Sequence, residues 1–201
     1  MRFQLLLIST GTALLLGACG GTQPVEENNG VFTDRFSVDK EGRKHGEFRR
    51  FFTGDTLAEL SHYVHGLLDG ERTIYDKSGQ PEIVEHYVMD TLQGPYLVYY
   101  PDGQTKISGS YNDGIMLGIW KRFYANGQLL EEVTYADNVE NGPFTEYYEN
   151  GQLKAQGHYL DGDFEQDTLR MYNQSGVLER VMLCDHGICN TIWKTEDGEE
   201  G

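Results

Sequence analysis

The chain has 201 residues, enough for one ordinary domain or one repeat array, and a formal charge of −16. A body this acidic is repelled by nucleic-acid phosphates and by anionic lipid headgroups, so neither is expected as a direct partner. The 13 Tyr, 9 Phe and 2 Trp exclude a disordered composition, and together with 25 Gly they predict many short strands joined by tight turns.

The first residues read as an address. Arg2 gives a basic start, and Leu5 to Leu16 is an apolar run broken only by Ser9, Thr10, Gly11 and Thr12. That run is too short to span a bilayer but suits the core of a signal peptide, here residues 1–18. Leu16-Gly17-Ala18-Cys19 follows and resembles the lipobox of bacterial lipoproteins. The resemblance implies that Cys19 becomes the acylated N-terminus of a lipid-anchored protein of the cell envelope. Gly20 stands where inner-membrane retention signals carry Asp, which favours the outer membrane. Arg2 is the one charged residue before Cys19, so its removal leaves a still more acidic body. Residues 19–30 hold one apolar side chain besides Pro24, namely Val25, and are expected to form a flexible lipidated tether.

The remainder is periodic. Tyr63, Tyr87, Tyr111, Tyr135 and Tyr159 lie 24 residues apart, as do Gly46, Gly70, Gly94, Gly118 and Gly142. Two residues after each glycine sit Phe48, Arg72, Tyr96, Trp120 and Phe144. Further columns hold Phe51, Tyr75, Tyr99, Phe123 and Tyr147, and then Phe52, Asp76, Tyr100, Tyr124 and Tyr148. Pairs such as Asp102-Gly103, Asn126-Gly127 and Asn150-Gly151 recur in the next column. Asn-Gly accepts positive φ at both centres of a type I′ turn, so each unit is predicted to be a β-hairpin, with Trp120 to Ala125 and Gln128 to Ala136 as strands. A looser loop of about six residues, bearing Gly66, Gly114 or Gly162, would lead to the next unit.

The expected fold is therefore all-β: an elongated array of antiparallel hairpins with a 24-residue period in an open meandering sheet. Residues 31–45 would supply a single capping strand and a loop, residues 46–165 five repeats, and residues 166–195 a degenerate capping repeat. In that last repeat Leu183 falls in the tyrosine column and the turn at Ser175-Gly176 comes one residue late. Residues 196–201 (EDGEEG) read as an acidic tail.

The run Gly118-Ile-Trp-Lys-Arg-Phe-Tyr-Ala-Asn-Gly-Gln-Leu and its echo from Gly142 resemble the bacterial MORN-type repeat. Proteins built this way are often grouped as the YwqK-type antitoxin family. The resemblance spans about residues 42–183. It implies an array of antiparallel hairpins and, from the family label, a protein-binding, neutralising role against a toxin.

Little in the chain suggests catalysis. Nucleophile-elbow, phosphate-loop, zinc-protease and dinucleotide motifs are missing, so no catalytic residue and no cofactor is expected. His62, His86 and His158 share one column, but neighbours one repeat apart would sit ~10 Å apart, too far to share a metal. The Asp and Asn clusters, such as Asn112-Asp113-Gly114, fall on turns that want those residues for backbone reasons. Cys184 and Cys189 bracket Asp185-His186-Gly187-Ile188, and a disulfide closing that last turn is expected. The functional expectation is a membrane-anchored, non-enzymatic module that binds a protein partner, touching the membrane through its N-terminal lipid alone. The alternative is an immunity or antitoxin-type inhibitor.

Overall fold

The computed structural model describes residues 21–195. The expected signal peptide, Cys19 and the acidic tail lie outside the described residues.

Short alternating segments separated by turn residues give a run of antiparallel strands. β1 (Gln23–Asn28) and β2 (Phe32–Val38) form the first hairpin, and β3 (Gly46–Phe52) and β4 (Leu57–Val64) follow. Next come β5 (Leu67–Leu68) with β6 (Gly70–Tyr75), β7 (Pro81–Val88), β8 (Thr91–Leu92) with β9 (Gly94–Tyr99), and β10 (Thr105–Asn112). The series ends with β11 (Ile115–Met116) and β12 (Gly118–Phe123), β13 (Leu129–Ala136), β14 (Val139–Tyr147), β15 (Leu153–Leu160), β16 (Phe164–Tyr172), β17 (Leu178–Asp185) and β18 (Ile188–Lys194). Each strand pairs with its sequence neighbours, so the sheet is an uncrossed antiparallel meander. The two-residue pieces β5, β8 and β11 are the first halves of strands that bulge before the column glycine, since β4 pairs with both β5 and β6. At that bulge Gly70, Gly94 and Gly118 have φ of 109°, 89° and 75°, a conformation that costs a side chain but not glycine.

The two kinds of turn are exchanged relative to expectation. The Asn-Gly turns are not type I′. Gly127 N–H donates to Tyr124 O at 2.9 Å and Tyr124 N–H to Gln128 O at 2.8 Å, with positive φ at Gly127 but not at Asn126. This is a type I turn closed by a left-handed glycine, the three-residue hairpin. Asn126 is wanted for its side chain: Oδ1 accepts from Gln128 N–H at 2.9 Å, and Nδ2 donates to Glu149 O in the next unit at 3.2 Å. The links that follow β4, β7, β10 and β13, expected to be loose, are tight two-residue turns with both centres at positive φ, as at Met89-Asp90, Asp113-Gly114 and Asp137-Asn138. The sheet is thus continuous through every link, because an adjacent unit offers partners to the turn itself. Asp90 N–H donates to Leu68 O and Gly114 N–H to Leu92 O, both at 2.8 Å.

The five column tyrosines occupy equivalent places, each directly opposite its column glycine, from Gly46↔Tyr63 to Gly142↔Tyr159. In the last unit the register slips. A three-residue loop, Asp161 to Asp163, moves the bulge to Asp167 (φ 62°), and Asp167 faces Cys184. Cys184, not Leu183, therefore fills the tyrosine place; Cys184 is buried and Leu183 exposed.

The amino end also departs from expectation. Residues 23–28 form β1, paired over six residues with β2, so this part of the expected flexible tether is a strand, and the cap at residues 31–45 is half of a hairpin. Apolar content did not announce β1, because main-chain bonding to an otherwise open edge holds it. An ion pair adds to this: Arg35 Nε lies 2.8 Å from Glu26 Oε2. The polar run Asn28-Asn29-Gly30 is its turn, with Asn29 Oδ1 accepting from Val31 and Phe32 N–H.

Tyrosine hydroxyls couple one unit to the next. Tyr100 donates to Phe123 O at 2.7 Å, Tyr124 to Tyr147 O at 2.9 Å and Tyr148 to Tyr172 O at 2.8 Å. Each bond spans one period, so it joins neighbours in a stack whose units are marginal alone. Tyr124→Phe keeps the ring and removes one such bond. It is expected to lower unfolding free energy by about 0.5–1.5 kcal/mol in urea titrations. Tyr75→Phe, in the adjacent column, is the matched control.

Candidate functional site

Residues at even spacing from each column glycine within its strand, and those directly opposite them on the paired strand, share one face of the sheet. On this ring face the two main columns interlock. Phe48 packs on Tyr63 with centroids 5.7 Å apart, Tyr96 on Tyr111 at 5.5 Å, Trp120 on Tyr135 at 5.9 Å, and Phe144 stacks on Tyr159 at 4.1 Å. Contacts also cross unit boundaries: Tyr96 lies 5.7 Å and Tyr111 5.2 Å from Trp120. Small residues opposite the rings make room for them. A Cβ at Gly109 would overlap the Trp120 indole, and one at Gly157 would crowd Phe144. The tightest part is Val133, Phe144 and Ala155, with Tyr135, Tyr159 and Leu169 against them.

Sheet and rings form one layer. Among the described residues no second sheet or helix covers the rings, and most of the column tyrosines remain half-buried. A shallow pocket of about 180 Å³ opens there between Tyr96, Ile107, Met116, Trp120, Arg122 and Tyr135. Arg122 is held by an ion pair with Glu131 at its rim. Burial, then the hydrogen bond to Glu140, pushes the Tyr135 phenol up to about 12, so it is neutral and a donor at ordinary pH. The Trp120 indole N–H is buried without an acceptor among the described residues and lies against rings.

One ring of the first column is replaced. Arg72 stands between Phe48 and Tyr96 in that column and is held by two buried carboxylates, Glu59 at 2.9 Å and Glu85 at 3.2 Å. Glu59 and Glu85 are only 7% and 9% exposed. Burial works against the charge on Arg72, but the hydrogen bond and charge of Glu59, then the charge of Glu85, outweigh it and hold the guanidinium above its ordinary value. Tyr87 donates to Glu85 at 3.1 Å, and Arg50 extends the network to Asp34 with two bonds of 2.7 Å. The polar block thus divides the ring face. Its amino-terminal part is Phe36, Phe48 and Tyr63 around the Lys44 ammonium, which sits 4.3 Å from the Phe48 ring centre. Its carboxy-terminal part is the apolar run from Tyr96 to Tyr159.

The expected site residues fall as follows. Cys184 and Cys189 are directly opposite on β17 and β18, their sulfurs joined and their Cα atoms 4.0 Å apart. His62 and His86 lie on the face opposite the rings and contact nearby main-chain carbonyls, at Asp69 O and Pro95 O respectively. The structure brings together one set that sequence reading missed: Asp39, His45 and His65, with a ligating atom of each within 4.8 Å of the others. Asp39 and His45 lie at the two ends of the β2–β3 link and His65 in the β4–β5 turn, and no spacing rule joins them. The one sequence signal is that His45 and His65 each precede a glycine of a repeat column.

Comparison with protein families agrees with this geometry. The model of the MORN repeat variant matches residues 68–89, 92–113, 116–137 and 140–161. The chain carries tandem MORN repeats. The first three matched segments run from the short strand before a column glycine to the first residue of the next two-residue turn, one complete hairpin, and the fourth runs from within β14 to the first residue of the loop at Asp161 to Asp163. MORN repeats are generally non-catalytic. The unit around Phe48 and Tyr63 has the same register but lies outside the matched segments. A search of the curated proteins found no match to the chain.

Removing Arg72 leaves two buried carboxylates without their cation. Arg72→Ala is expected to destabilise the array by roughly 3 kcal/mol, measured by urea unfolding. A triple variant that copies other units, Glu59→Ala, Arg72→Tyr and Glu85→Val, should recover most of that loss, because an apolar core can replace a buried ion triad.

Proposed function

We propose that this MORN-repeat protein is a lipid-anchored, non-enzymatic binding or scaffold module of the bacterial cell envelope, and that it takes a protein partner on its ring face. The observation that carries this reading is the single-layer sheet: Tyr96, Tyr111, Tyr135 and Tyr159 stand half-buried beside the buried Trp120 and Phe144, with no second layer over them among the described residues. Half-buried Tyr side chains beside a shallow apolar pocket are of the kind that anchor protein interfaces. Residues 1–19 supply the expected anchor, acylation at Cys19, with the outer membrane as the expected destination. The acidic body supports attachment through lipid rather than through charge.

A photo-reactive residue placed at Tyr111 in the native lipoprotein tests both parts. The expected result is one partner of constant mass cross-linked in cell envelopes, and none when the probe is moved to Glu71 on the opposite face. Cys19→Ser should move the chain out of the membrane fraction. Equal cross-linking from both faces, or a Cys19→Ser chain that stays with membranes, overturns the corresponding half. A captured partner that is toxic when this chain is missing narrows the module to an inhibitor of the antitoxin kind.

The Cys184–Cys189 bond is proposed as a staple of the carboxy-terminal edge. There β18 has no further strand among the described residues, and Ile188, Ile192 and Trp193 are exposed. Intact mass under non-reducing conditions should be lower than after reduction and acid quenching by the mass of a hydrogen pair. Equal masses would falsify the staple.

A further inference from the structure

We infer that Asp39, His45 and His65 form a binding site for a divalent transition metal ion of the zinc class, which ties the link between β2 and β3 to the turn between β4 and β5. Asp39 begins the turn after β2, His45 immediately precedes β3, and His65 is the first centre of the β4–β5 turn.

Three features make this more than a surface cluster. First, the carboxylate is oriented. Asp39 is 9% exposed, and its Oδ1 accepts from the backbone N–H of Glu41 at 3.0 Å and of Arg43 at 2.9 Å, which leaves Oδ2 turned to the histidines. Main-chain bonds of this kind fix a ligand before the metal arrives. Second, a cation already sits among these groups. The Arg43 Nη2 lies 2.8 Å from Asp39 Oδ2 and 3.1 Å from His65 Nδ1. Arg43 is also anchored by Glu41 but is 46% exposed, so it can turn into solvent when a metal takes its place. Third, both histidines are held. Their rings pack 4.9 Å apart, and His45 Nδ1 accepts from His65 N–H at 3.3 Å. Asp69 and Gln93, in the same column as His45, accept from the equivalent N–H of Met89 and Asp113. A histidine in that column thus keeps the turn-to-turn bond and adds a second ring nitrogen. In this first unit both partners are histidine and face a carboxylate.

Two imidazoles and one carboxylate suit zinc, nickel or copper better than calcium or magnesium, which prefer oxygen. Three protein ligands leave at least one position open to water. The ion would join two connecting segments, the β2–β3 link and the β4–β5 turn, between which the main chain contributes the bond from Gly66 N–H to Lys44 O at 2.7 Å.

The test is calorimetric titration of Zn²⁺ into the metal-free intact chain in detergent. One site per chain is expected, with a rise in melting temperature on binding. His45→Gln keeps the acceptor found at Gln93, and His65→Asn keeps a residue that tolerates left-handed backbone, so both should fold. Each is expected to weaken binding at least about tenfold and to remove the rise in melting temperature. Arg43→Gln removes the competing cation and should tighten binding several-fold, whereas His86→Gln should leave it unchanged. No zinc uptake by the wild-type chain, uptake unaltered in both histidine variants, or weaker uptake in Arg43→Gln would each overturn the inference.

Discussion

The whole array rests on ring-to-ring contact between units of constant length. A two-stranded hairpin buries too little to stand alone. Its neighbour must present a ring at the same height on the same face, and this happens only if every unit contributes the same number of residues. Trp120 shows the dependence most directly: it contacts Tyr96 and Tyr111 of the preceding unit and Tyr135 of its own, and it lies over Gly109, whose missing side chain leaves the space for the indole. Inserting one residue between the Tyr column and the next Gly column shifts every later side chain, as the last unit demonstrates. There Leu169 and Cys184 take the places of a ring and a tyrosine one residue later than the period dictates.

Hydrogen bonding runs beside this packing along both margins of the sheet. On one margin the Asn side chains and Tyr hydroxyls of each turn reach carbonyls one period on. On the other, the two-residue turns donate main-chain N–H groups to the unit before. Turns that would be solvent-facing in a single hairpin become polar ladders in the stack. The interior of a single-layer sheet is thin, and these ladders supply order that a deeper core would otherwise provide.

The ring face is not uniform. Arg72 with Glu59 and Glu85 places a polar block inside an aromatic column, between a cap centred on Lys44 and an apolar run from Tyr96 to Tyr159. A buried charge network contributes less to stability than rings of similar volume would. The two parts differ in chemistry accordingly: the carboxy-terminal run is apolar, and the amino-terminal cap packs its rings around a cation.

Sequence alone determined the period, the hairpin unit, the all-β class and the equivalence of the column residues. These follow from local chemistry: glycine where φ must be positive, rings at alternate positions, and constant spacing. The substitution of Arg72 in a ring column was also visible, though not its partners. Only the tertiary structure decided which turn takes which form, because Asn126 is chosen for a carbonyl in the following unit rather than for its own backbone. It alone paired β1, whose residues carry almost no apolar signal and are held by main-chain bonds. It alone placed Cys184 in the tyrosine position, since one added residue in a loop changes the register without changing the look of the sequence. The meeting of Asp39, His45 and His65 likewise belongs to the fold: side chains up to 26 positions apart converge because turns stack across strands, and strand pairing brings together what spacing along the chain keeps apart.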